Sequence, residues 1–106
     1  VVQIFKMLTE DKKEYIMSKQ LLRSGTNPGA MISEAQQAES GKDFVHKLSI
    51  GLKEIKETEY WLVLLRRSKY IDEETFSEVN NTLVQVRRML ISSIKTKKSK
   101  MERGRS

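Results

Sequence analysis

Apolar residues recur at threes and fours along most of this chain, and no segment alternates apolar and polar with a period of two. Spacing of that kind places side chains on one face of an α-helix. The clearest run is Phe76, Val79, Leu83, Val86, Leu90 and Ile94. A second is Phe44, Leu48, Leu52, Ile55, Leu62 and Leu65, with Glu59 in its gap. Ile16, Met17, Gln20 and Leu21 begin a third, and the short stretch Val1 to Leu8 reads as the last turns of a helix.

The breaks between these runs carry capping signals. Asp11 followed by Glu14 resembles a capping box, which predicts a second helix from Lys12 or Lys13. Pro28, in Gly25-Thr26-Asn27-Pro28-Gly29, removes one amide donor and crowds the carbonyl four residues back. Two readings follow: a stop and restart with Asn27 as N-cap, or one long helix kinked near Pro28. The second is preferred, because Ala30 to Ala38 resumes helical chemistry at once. Ser40 and Asp43 suit the cap and third positions of the next helix. Asp72 suits the cap of the last, with Ile71 and Phe76 placed as a hydrophobic staple. Four helices joined by short connections pack antiparallel, so the expected fold is all-α: an up-down-up-down four-helix bundle over residues 1–94. After Lys95 only Met101 is apolar, and residues 95–106 are expected to form a disordered basic tail.

Composition sharpens this picture through charge. The chain has 106 residues, with 20 Lys and Arg against 14 Asp and Glu. Residues 1–86 hold twelve basic and thirteen acidic side chains, whereas 87–106 hold eight basic and one acidic. The whole excess therefore sits on Arg87, Arg88, Lys95, Lys97, Lys98, Lys100, Arg103 and Arg105. A cluster of this kind points to a polyanion, each cation near phosphate releasing a counterion. The plainer reading is a solubilising tail that complements the negative end of the last helix. An acidic protein partner would suit it too.

Other residue types narrow the chemistry. There is no cysteine, hence no disulfide, thiolate metal site or redox pair, and its absence fits a cytoplasmic protein. No run of about 18 apolar residues would span a membrane, and no signal peptide is visible. His46 is the one histidine. Asp43, not Glu, stands three residues before it, so neither a di-iron carboxylate pattern nor a nucleophilic triad is expected. No metal, cofactor or small-molecule substrate is implied. Gly25 to Gly29 lacks the Lys-Ser/Thr of a phosphate loop. Arg23, Glu34, Glu57 and Glu59 are expected to form an inter-helix ion-pair network that fixes register. Tyr60 to Leu65 is apolar all round, which suggests cover from a second subunit over Tyr60, Trp61 and Leu64. Gly51, in mid-helix, is expected to permit close helix approach.

Three pieces carry a resemblance across Gln20 to Lys98. The first is Gln20-Leu21-Leu22-Arg23-Ser24-Gly25-Thr26 running through Ala30-Met31-Ile32-Ser33-Glu34-Ala35. The second is Asp43-Phe44-Val45-His46-Lys47-Leu48-Ser49-Ile50-Gly51-Leu52-Lys53-Glu54 with Glu57-Thr58-Glu59-Tyr60-Trp61-Leu62. The third is Tyr70-Ile71 leading into the last helix. In these the chain resembles the four-helix-bundle family first described as the protein encoded in ribosomal RNA intervening sequences. It departs where Met31 replaces the family's usual Asn, and in a first helix shorter than the family's. The resemblance implies a ring-like homo-oligomer, often a pentamer, without enzymatic activity and with a nucleic-acid role. Similar proteins include accessory proteins of diversity-generating retroelements, basic bundles that work with a reverse transcriptase and its RNA.

Two functional readings result. In one, a homo-oligomeric bundle binds RNA or DNA through phosphate. In the other, a protein–protein scaffold uses its tail only for solubility.

Overall fold

The computed structural model describes residues 1–104. Four α-helices follow one another: α1 (Val2–Glu10), α2 (Ile16–Gln36), α3 (Gly41–Arg67) and α4 (Glu73–Arg103). No described residue is in a strand. The all-α expectation holds.

Three of the four starts depend on identifiable caps. The Ser40 hydroxyl accepts from the Asp43 amide at 3.1 Å, and the Asp72 carboxylate accepts from the Thr75 amide at 2.8 Å. Both sites are those the sequence indicates. The start of α2 differs. Asp11 closes α1, its amide bonded to the Met7 carbonyl at 2.9 Å, and α2 begins too far along the chain for its carboxylate to cap. Lys13 then takes a left-handed conformation (φ 55°), and α2 begins at Ile16 rather than at Lys12 or Lys13. The buried Glu14 carboxylate does the capping, accepting from Met17 at 3.1 Å and Ser18 at 2.9 Å. Ile16, expected on the apolar stripe, is 79% exposed at the first helical position.

α2 runs unbroken through Pro28, which is buried. One helix, rather than a stop and restart at Asn27, is observed. Its packing partner is α3, and this is the most extensive helix pairing in the molecule. Small residues line the seam: Ser24 and Pro28 from α2 meet Thr58 and Gly51 from α3, amid the buried Leu21, Leu48, Ile55 and Leu62. The Ser24 and Thr58 hydroxyls lie 2.9 Å apart, both fully buried. Thr58, not Glu59, therefore fills the gap in the α3 stripe. Glu59 stands one position (about 100°) round the helix and faces α4.

Gly51 is less demanding than expected. A methyl group there would meet the Met31 Cβ at 3.4 Å, an ordinary contact. Gly25 is tighter, for an added Cβ would approach the Val1 methyls at 2.7 and 2.8 Å.

α4 packs along the other side of α3 through Phe76, Leu83 and Leu90. The molecule is long and shallow, 56 × 22 × 15 Å, with a radius of gyration of 16.1 Å. A compact chain of this length would have about 13 Å. The short α1 lies against α2. Beyond Val1 a trough of about 520 Å³ remains between α2 and α4, walled by Ile32, Val79, Leu83 and Val86 and floored by Ile55.

The largest departure from the sequence reading concerns the tail. Residues 95–103 continue α4 without a break. The physical reason is propagation: Lys, Met, Glu and Arg are good helix formers, and extending an existing helix avoids the cost of nucleation. No helix among the described residues is long and apolar enough to cross a membrane.

Candidate nucleic-acid interface

The C-terminal half of α4 presents the cations that the sequence singles out. Its apolar stripe thins after Ile94, yet Lys97 and Met101 continue the same helical face. Both pack on the start of α3. The Met101 sulfur lies 2.9 Å from where a Cβ on Gly41 would stand, so the missing side chain gives α4 its seat. The Lys97 ammonium sits 5.6 Å from the centre of the Phe44 ring, a cation–π distance.

The remaining cations point outward. Arg88, Lys95, Lys98, Lys100 and Arg103 are exposed. A turn of about 100° per residue spreads them, with Lys97, over an arc of roughly 260°. They form a sleeve around the helix rather than a flat patch. None of Arg88, Lys95, Lys97, Lys98 and Lys100 makes an ion pair with a carboxylate among the described residues. Arg87 belongs elsewhere: its guanidinium donates to Glu59 Oε1 at 2.7 Å and ties α4 to α3. Arg105 lies outside the described residues.

The expected ion-pair network resolves into separate pairs. Arg23 reaches Glu57 at 2.6 Å and Glu54 at 3.2 Å across the α2–α3 seam. Glu34 is too far along α2 to join it and pairs with Lys47 at 3.3 Å. Glu54 and Lys47 join as partners that the sequence does not announce, since charged residues outside the apolar stripe carry no periodic signal. The Arg23 hydrogen bond holds the Glu57 carboxyl below its ordinary range, and the same bond raises Arg23. The amide of Thr75 likewise lowers Asp72. These pairs sit on half-exposed rims, where each contributes modestly.

Tyr60 and Trp61 meet edge to face, ring centres 5.0 Å apart. Tyr60 is 60% exposed, while Trp61 and Leu64 are half-buried. His46 is exposed. Among the described residues, no three His, Asp or Glu side chains converge in a way that could hold a metal ion.

A further cleft joins α3 to α4. Phe44, Ser92, Ser93, Thr96, Lys97 and Lys100 line about 330 Å³. Phe44 falls on the apolar stripe of α3, and the three hydroxyls have no signal in the sequence. Phe44 is only half-buried, unlike Leu48, Ile55, Leu62 and Leu65 beyond it.

Comparison with known proteins gives a consistent result. The family model described as 23S rRNA-intervening sequence protein matches residues 1–92. A crystal structure at 1.70 Å of a protein of unknown function from the S23 ribosomal protein family of Bacteroides thetaiotaomicron VPI-5482 is 52% identical, with a TM-score of 0.87. The match covers 89% of this chain and 84% of that one. Among curated proteins none matches.

Proposed function

The chain belongs to the 23S rRNA-intervening sequence protein family, and on that premise we propose that it is a non-enzymatic, homo-oligomeric helical protein that binds nucleic acid through phosphate. One observation carries this reading: five cations of α4 (Arg88, Lys95, Lys97, Lys98 and Lys100) have no carboxylate partner among the described residues. Like charges held close on a helix repel one another. A phosphate backbone relieves that repulsion and releases its own counterions. Because the cations surround the helix, the contact is to backbone charge rather than to sequence.

The exposed Tyr60, edge to face with the half-buried Trp61, is the surface on which we rest self-association. Several copies would multiply the α4 contacts on one polyanion. A reverse transcriptase and its RNA, as in the retroelement accessory proteins that this family resembles, are one setting for such a protein. The cytoplasm is its proposed location.

The test is labelled RNA and DNA followed by anisotropy across a salt series, with wild type and a variant carrying Lys95→Gln, Lys97→Gln, Lys98→Gln and Lys100→Gln. Wild type should show log affinity falling with log salt by roughly 0.7 to 0.9 per phosphate neutralised. The variant should keep its helicity and lose most of that slope. An affinity that ignores salt, or no binding, overturns the reading and leaves the scaffold alternative.

A further inference from the structure

Within the interface just described, one recess differs from the rest of the cationic sleeve. It sets an aromatic ring beside two lysines and three hydroxyl groups. Phe44 forms its floor, from the first turns of α3. Lys97 and Lys100 stand three residues apart on one face of α4, where two like charges repel. Neither has a carboxylate partner among the described residues.

The hydroxyls supply an independent observation. Thr9, Thr26, Thr58 and Thr82 all turn their hydroxyls back to the carbonyl four residues earlier, at 2.7 to 3.3 Å. That is the usual resting place of a threonine inside a helix. Thr96 does not do so, and Ser92 and Ser93 beside it make no hydrogen bond among the described residues either. Three uncommitted donors and two unpaired ammonium groups thus converge beside a half-buried ring. Phe44 and Lys97 also line the neighbouring cleft formed by Ala35, Gln36, Ala38, Glu39, Ser40 and Gly41. The ring therefore stands as a ridge between two recesses.

We propose that this cleft takes one nucleotide of a single strand, its base against the Phe44 ring and its phosphate between Lys97, Lys100 and the hydroxyls of Ser93 and Thr96. The proposal rests on the nucleic-acid reading and adds a preference to it. The base occupies the place that the Lys97 ammonium holds over the ring. Lys97, on four methylenes, turns to the phosphate. A base can reach the ring only when it is unstacked, so single strands bind in preference to duplexes. The other cations of the sleeve do not distinguish the two forms.

The experiment compares a short unstructured RNA with the same strand paired to its complement. Both are titrated against the full chain, as wild type, Phe44→Leu, Phe44→Trp and the pair Lys97→Gln with Lys100→Gln. Wild type should prefer the single strand. Phe44→Leu should weaken single-strand binding by between about five-fold and a hundred-fold. Its duplex affinity and salt slope should stay unchanged. The lysine pair should lower the single-strand salt slope by about 1.4. Circular dichroism establishes that Phe44→Leu remains folded. If it does not, Phe44→Trp decides: its emission must respond to single-stranded RNA beyond the response of Trp61 in wild type. Undiminished single-strand binding by folded Phe44→Leu, or a silent Trp at position 44, overturns the cleft while the phosphate reading survives. No binding of either form by wild type overturns both.

Discussion

The α2–α3 seam and the last three turns of α4 are both regular helix, yet different forces hold them. In the seam, Leu21, Leu48, Ile55 and Leu62 interlock around the small residues Ser24, Gly51 and Thr58. Burial is nearly complete, and the polar groups it traps satisfy one another. Residues 95–103 instead touch the rest of the chain on one side, through Lys97 on Phe44 and Met101 on Gly41. Their helicity is extended from the residues before them. Order in a backbone is therefore a poor guide to how much a segment contributes to stability: one region determines the fold, and the other is carried by it.

Substitutions can break or sharpen that contrast. Ile55→Ala, which empties a fully buried site between α2, α3 and the trough, should cost about 2–5 kcal/mol by urea denaturation. Thr58→Val should cost about 1 kcal/mol, since it keeps the shape and removes the hydroxyl that meets Ser24. A double cycle with Ser24→Ala should return most of that loss as coupling between the two sites. Gly51→Ala should stabilise by up to about 1 kcal/mol, because the methyl meets Met31 at ordinary contact distance and the helix gains propensity. Destabilisation there would mean that the seam tolerates no extra atom. Met101→Ala should change global stability by under about 1 kcal/mol while hydrogen-exchange protection falls in the last two turns of α4. If Met101→Ala proved as costly as Ile55→Ala, the two regions would not differ in kind.

Much of the architecture is legible in the sequence, and the failures share a cause. Ser40, Asp72 and the Phe76–Ile94 stripe announce themselves because caps and apolar periods are local signals. The role of Glu14 is less legible, because Asp11 and Glu14 suit a capping box only if α1 has already ended, and α1 runs on to Glu10. The helical course of residues 95–103 is hidden in the sequence because the apolar stripe ends there while the helix does not. A chain of good helix formers needs no stripe to prolong a helix that has already started. Arg23 and Glu57 pair as expected, whereas Arg87 is drawn from the cationic set to Glu59 by a contact that depends on how α4 rotates against α3. Phe44 was legible only as an apolar position. That its ring is half-buried and borders lysines and uncommitted hydroxyls depends on two helices meeting.

The distribution of cations around α4 has a consequence for approach. A charged plane would accept a strand from one direction and impose an orientation on it. A charged cylinder attracts from nearly every azimuth, so first encounters are frequent and directionless, and a captured strand can roll about the helix without leaving its field. Any choice of angle must then come from the one azimuth where the cylinder touches α3.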